Sequence, residues 1–182
     1  MNSPVSTRYP VTDAVKEALA VTLRGCEELI PQEDWVKKLA KSEATGVPLR
    51  IKLGLDPTAP DIHVGHTVVL NKMRQLQNLG HQVIFLIGDF TSLIGDPSGR
   101  NSTRPALTSE QIKVNAETYY RQASLVLDPT KTEIRYNSEW SLPLGAMGMI
   151  QLAAKYTVAR MMERNDFHDR FKAGTPISVH EF

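Results

Sequence analysis

Between Leu49 and Leu55 the chain alternates. Leu49, Ile51, Leu53 and Leu55 are apolar, with Arg50, Lys52 and Gly54 between them, the two-residue period of a strand with one buried face. From Val64 the period becomes helical, with Val69, Met73 and Leu76 on one side, and Gly80 closes the helix after Leu79. Val83 to Ile87, VIFLI, is an unbroken apolar run, the pattern of a parallel strand buried on both faces. Strand, helix, strand in so short a span predicts a right-handed β-α-β unit, the seed of a doubly wound sheet.

The flanks add helices. MNSPVSTRYP reads as a loose tail, after which Thr12 caps a helix with Val15, Leu19, Leu23 and Cys26 on its apolar face. Pro31 fits the first turn of a second helix carrying Trp35, Val36, Leu39 and Ala40, and EATGVP ends it. Beyond Ile87, GDFTSLIGDPSGRNSTRP is a loop dense in Gly, Ser, Thr and Asp. Thr108 to Gln111 is a capping box opening a helix through about Leu127. TEIRYN predicts a third strand. Leu144 to Phe171 reads as helix, with a Met- and Ala-rich stripe of the kind used in cores and subunit interfaces. The last segment, PISVHEF, stops in mid-pattern and does not resemble a natural domain end.

Composition narrows the class. A chain of 182 residues, 41% hydrophobic and 23% charged, suits one domain with a real core. A net charge of +1 gives no global electrostatic case for nucleic acid. The single cysteine excludes a disulfide framework and a cysteine-based metal site. Neither an apolar signal core nor a run of membrane-spanning length is present, so a soluble, cytoplasmic protein without membrane partners is expected.

The chemistry concentrates in GLDPTAPDIHVGHT, Gly54 to Thr67. In an open parallel sheet, ligands bind where strands end and the chain turns into the next helix. Gly54 and Pro57 shape such a turn, and the helix begins at or just after His63. His63 and His66, three apart, project from one side of its first turn, where free backbone N–H groups and the positive dipole end also point. Gly65 leaves room for a flat ring to approach the backbone. The cluster suits phosphate oxygens. It is neither a Walker loop nor a G-x-G-x-x-G dinucleotide fingerprint, and further zinc ligands are not nearby.

HVGH after a first strand resembles the HIGH signature of class I aminoacyl-tRNA synthetases. The pair GLDPTAPDIHVGH and LIGDFTSLIGDPSGR, with YNSEW and GTPISVHEF, resembles the bacterial tyrosyl-tRNA synthetase family from about Leu49 to Phe182. The resemblance implies an α/β fold, a Rossmann-type parallel sheet, in three parts: residues 1–48 a tail and helical arm, 49–139 the first half of the catalytic fold, and 140–182 the start of a helical connective insertion.

It also implies an activity: L-tyrosine and ATP give tyrosyl-adenylate and pyrophosphate, then tyrosine passes to tRNA(Tyr). ATP is a co-substrate accompanied by Mg2+, and no tightly bound cofactor or resident metal is expected. By resemblance His63 and His66 donate to the phosphate in the transition state, and Thr58 contacts the nucleotide phosphates. Asp56 and Gly54 border the adenylate, and adenine packs at Gly65. Asp96 grips the tyrosine ammonium, while Arg100 and Arg104 reach pyrophosphate from the following loop. Asn137 and Trp140 fall in a segment bordering the site. Lys52 stands where one branch of the family has a tyrosine near the substrate phenol, so a place by the amino-acid pocket is expected. The family's tyrosine-recognition helix, KMSKS loop and anticodon-binding domains would follow Phe182, so this chain is expected to be a fragment, not fully active alone. Relatives dimerise through the connective region, which makes residues from Leu144 onward candidates for a homodimer interface. The competing readings are tryptophanyl-tRNA synthetase and a non-catalytic module that binds a nucleotide or partner.

Overall fold

In the computed structural model the described residues are 8–94 and 107–182. Two helices come first, α1 (Asp13–Leu23) and α2 (Gln32–Thr45). Thr12 caps α1 by accepting from Val15 N, as its position before the apolar run predicted. The arm packs on itself through Val15, Leu39 and Ala40, with Trp35 and Leu49 against them. Cys26 does not join this face: α1 ends at Leu23, Gly25 takes a φ of 75°, and the turn carries Cys26 into solvent.

β1 (Arg50–Leu55), α3 (Val64–Asn78) and β2 (Gln82–Ile87) form the expected unit. The short α4 (Asp89–Ile94) and α5 (Ser109–Ala123) lead to β3 (Thr132–Tyr136). The three strands are parallel in the order β1-β2-β3, with Leu53 opposite Phe85 and Phe85 opposite Ile134. Val83, Phe85 and Ile87 are buried against Leu70, Met73 and Leu76 of α3 and Ala116, Tyr119 and Ala123 of α5. Burial of each large apolar side chain there contributes about 1.5–3 kcal/mol.

Within this chain only one face of the sheet is covered, where VIFLI suggested two. Ile84 and Leu86 are only half-buried, because α3 and α5 cover one side. The other side carries Arg50, which donates to the Glu133 carboxylate at 3.0 and 3.1 Å across the sheet.

Two further boundaries move. α5 stops at Ala123 rather than Leu127; Ser124 to Leu127 form turns in which Leu127 remains buried. The expected helix from Leu144 to Phe171 is three pieces: α6 (Ser138–Ala153), α7 (Val158–Met161) and α8 (Asn165–Lys172). Gly145, at φ 59° and ψ −176°, kinks α6 two residues after Pro143. Thr157 then starts α7 by accepting from Arg160 N. Along α6 and α7, Leu142, Met147, Ile150 and Val158 are exposed, so the stripe is surface and not core.

His81 joins the arm to the sheet. It is 7% exposed, its Nδ1 accepts from Leu49 N at 3.4 Å, and its Nε2 is buried without a hydrogen-bond partner among the described residues. Burial pushes its pKa below 6.5, so the unfolded chain binds the proton more readily. This contribution to stability is fully present above pH 6.5 and is lost as pH falls through the folded-state pKa. Urea midpoints between pH 8 and 5 are expected to fall more steeply for the native sequence than for His81→Gln. Parallel curves would show that His81 carries none of the slope.

Candidate active site

The turn after β1 is held from α5. Asn115 Nδ2 donates to the buried Pro57 carbonyl at 2.9 Å, and Gln122 clamps the far end, accepting from Ile62 N at 2.9 Å and donating to Asp61 Oδ1 at 2.6 Å. Thr58 N donates to Asp56 O at 2.8 Å, tightening the turn between them. Asn115 and Gln122 were not singled out from the sequence. They lie about sixty residues from the loop they hold.

α3 then begins with a capping box built from the two histidines. His63 is the N-cap: its Nδ1 accepts from Gly65 N at 3.1 Å, while His66 Nδ1 accepts from His63 N at 3.1 Å. The rings stand 4.1 Å apart between centroids, and His66 meets Tyr119 edge-on at 6.4 Å. His66 Nδ1 also lies 3.3 Å from His63 O, a contact whose sense depends on the tautomer, but the His63 amide can only donate to it. With both Nδ1 atoms accepting from amides, the ring proton of each imidazole in its neutral form is assigned to Nε2. The pair thus offers two Nε2–H donors.

This corrects one expectation. The amide of Gly65 is used by His63 Nδ1, and the amide of His66 donates to His63 O at 2.9 Å. The donors offered to an anion are therefore the rings rather than these first-turn amides. Gly65 also has a local task. A Cβ there would lie 2.8 Å from His63 Cε1 and 2.9 Å from its Nδ1, so the flat ring admitted against this backbone is His63 itself.

At the ends of the strands the structure assembles a chain of side chains. Thr91 Oγ1 donates to Asp56 Oδ1 at 2.9 Å, with Gly88 O a longer second acceptor at 3.2 Å, and accepts from Asn137 Nδ2 at 3.0 Å. Asn137, buried just after β3, also accepts from Phe90 N at 2.8 Å. Asp56 and Asn137, eighty-one residues apart, are thereby linked through Thr91, which the sequence reading passed over. Gly88 makes the link possible: a Cβ there would fall 1.8 Å from Asp56 Oδ1. Gly54 plays a milder part, since a Cβ there would stand 3.7 Å from Lys52 Nζ; the ammonium extends over the glycine toward the strand's carboxyl end.

Trp140 is exposed on α6. Asp96, Arg100 and Arg104 lie outside the described residues. Among the described residues, no group of three His, Cys, Asp or Glu side chains is suited to a metal ion. No helix there is long and apolar enough to cross a membrane. A cavity of about 420 Å³ opens between α4, α5 and α6, lined by Phe90, Leu93, Ile112, Tyr136 and Leu142 among others. None of the predicted site residues lines it.

The chain belongs to the class I tRNA synthetases, the group for tryptophan and tyrosine (W and Y), whose family model matches residues 44–182. It is 76% identical over 181 residues to the tyrosine–tRNA ligase of Cupriavidus pinatubonensis, covering 100% of this chain and 44% of that protein. It is 80% identical over 164 residues to the tyrosine–tRNA ligase of Ralstonia nicotianae, covering 90% of this chain and 42% of that protein. The chain thus spans less than half the length of these curated relatives. A C-terminally truncated mitochondrial tyrosyl-tRNA synthetase from Coccidioides posadasii shares its fold, at a TM-score of 0.69 and 21% identity over 90% of this chain and 47% of that one.

Proposed function

We propose that this chain is the phosphate-activating part of a tyrosine–tRNA ligase acting in the cytoplasm. The observation that carries the reading is the histidine capping box, whose Nδ1 atoms are engaged by backbone amides, leaving both Nε2–H groups as donors. A tyrosine carboxylate oxygen attacks the α-phosphorus of ATP, forming the acyl–phosphate bond as the bond to the bridging oxygen breaks and pyrophosphate leaves. Charge grows on the phosphate oxygens, and donors already fixed in place stabilise it without reorganisation. His63 and His66 are those donors, and Thr58, in the turn that precedes them, is assigned to the nucleotide phosphates. Asp56, Gly54 and Gly65 border the adenylate.

The substrate assignment rests on the likeness to named tyrosine–tRNA ligases. Lys52 and Asn137 are assigned to the tyrosine side, Asp96 to the substrate ammonium, and Arg100 and Arg104 to pyrophosphate. Mg2+ would arrive with ATP. The adenylate then passes its tyrosyl group to tRNA(Tyr) in the complete enzyme. The exposed Met147, Ile150 and Val158 support the segment from Leu144 onward as the homodimer surface.

Tyrosine-dependent exchange of pyrophosphate into ATP tests the reading. A complete ligase containing this chain is expected to catalyse exchange with tyrosine and not with tryptophan, and this chain alone to be silent. Exchange with tryptophan would overturn the substrate, and silence of the complete protein would reduce the site to a binding module.

A further inference from the structure

The start of α6 lacks a cap of its own: Asn137, its N-cap residue, makes no side-chain capping bond. The cap comes instead from another element. Asp89, at the start of α4, accepts from Ser138 N at 3.0 Å through Oδ1 and from Ser138 Oγ at 2.6 Å through Oδ2. The same Oδ1 accepts from Phe90 N at 3.0 Å, an amide shared with Asn137 Oδ1. Asn137 N donates to Ile87 O at 3.1 Å, so this residue is pinned between β2, α4 and α6. From it the chain runs through Thr91 to the Asp56 carboxylate.

We propose that Asp89 is a positioning residue for adenylate formation, clamping the β3–α6 junction through Ser138 so that Asn137 and Thr91 hold the Asp56 carboxylate in its working place. Asp89 touches no reacting atom in this scheme. It couples α6, the helix with the exposed apolar side, to the end of β1 through hydrogen bonds between neighbouring residues. The proposal rests on the adenylate-forming reading above.

The clamp needs acceptor geometry and not charge. An asparagine at position 89 keeps a carbonyl oxygen for the amides of Phe90 and Ser138, and its NH2 donates to Ser138 Oγ, which can accept. An alanine removes every one of these bonds.

The test measures kcat and KM for tyrosine-dependent pyrophosphate exchange in a complete ligase containing this chain, with thermal unfolding of each variant. Asp89→Ala is expected to lower kcat about ten-fold with the tyrosine KM within about two-fold, while Asp89→Asn stays within about three-fold of wild type. Asp89→Ala combined with Thr91→Val is expected to be no slower than Thr91→Val alone, because both cut one route. Full activity of Asp89→Ala, an equal loss in Asp89→Asn, or multiplying losses in the double variant would each overturn the clamp. If Asp89→Ala does not fold, Ser138→Ala decides, since it removes only one bond; a kcat loss smaller than that of Thr91→Val, and absent on top of it, supports the clamp, and wild-type kcat overturns it. His63→Ala runs alongside. Its full activity would overturn the adenylate site itself, whereas its loss with an active Asp89→Ala would overturn the clamp alone.

Discussion

Replacing His63 by asparagine is expected to leave the fold standing and to lower adenylate formation by about a hundred-fold or more. Two functions meet in that side chain. Its Nδ1 caps α3 by accepting from Gly65 N, and in the proposed function its Nε2–H donates to the phosphate. Asparagine is among the best N-cap residues, so the cap survives in His63→Asn, while its remaining NH2 donor sits nearer the backbone than Nε2 and falls short of the ring's reach. Loss of one fixed donor to developing charge costs about a hundred- to a thousand-fold in kcat. Alanine removes both functions, so His63→Ala is expected to lose a similar factor in rate and also about 1 kcal/mol of stability. Urea unfolding and pyrophosphate exchange on the two variants separate the roles. If His63→Asn retains wild-type exchange, the ring serves as a helix cap only.

The second large effect belongs to a residue without a side chain. Gly88→Ala places a Cβ 1.8 Å from Asp56 Oδ1 and 2.6 Å from Thr91 Oγ1, well inside contact distance for both. Neither group yields easily, because Asp56 and Thr91 are bonded to each other and Thr91 is bonded to Asn137. The carboxylate must leave its place or the start of α4 must move away from β1, which Gly88 N holds by donating to Leu55 O at 2.9 Å. Overpacking of this kind costs about 1–3 kcal/mol of stability. Exchange is expected to fall about a hundred-fold through displacement of Asp56, a loss comparable to that of a fixed donor. Thr91→Val, which removes the hydroxyl but adds no clash, is expected to lose less. Equal losses would show that the hydrogen bond matters and the space at Gly88 does not.

These two effects differ in how they could be foreseen. The histidine pair was legible because both members stand in one helical turn, where sequence spacing and spatial distance are nearly the same thing. Asp56 and Gly65 belong to the same short stretch, but their roles at the adenylate came from the family resemblance and not from spacing. Thr91, Gly88 and Asp89 were not: their partners, Asp56, Asn137 and Ser138, follow other strands, and a threonine in GDFTSL carries no local mark of what it will touch. Asn115 and Gln122 escaped likewise, as polar positions on a helix that could have faced solvent. The missed kink at Gly145 has another cause. Apolar letters continue through it, and the φ of 59° is a property of the folded backbone.

What the sequence by itself determined is local. Period and punctuation set strand, helix and strand, Thr12 and Thr108 set two helix starts, and the turn after Leu55 set the histidine pair that opens α3. These follow from interactions between residues a few positions apart. Only the tertiary structure decided which face of the sheet α3 and α5 cover, why β2 is buried on one side, and how Asp56, Thr91, Asn137 and Asp89 come within hydrogen-bond distance. That outcome depends on parallel pairing of β1, β2 and β3, which brings the ends of distant segments to one edge, and no spacing along the chain encodes it.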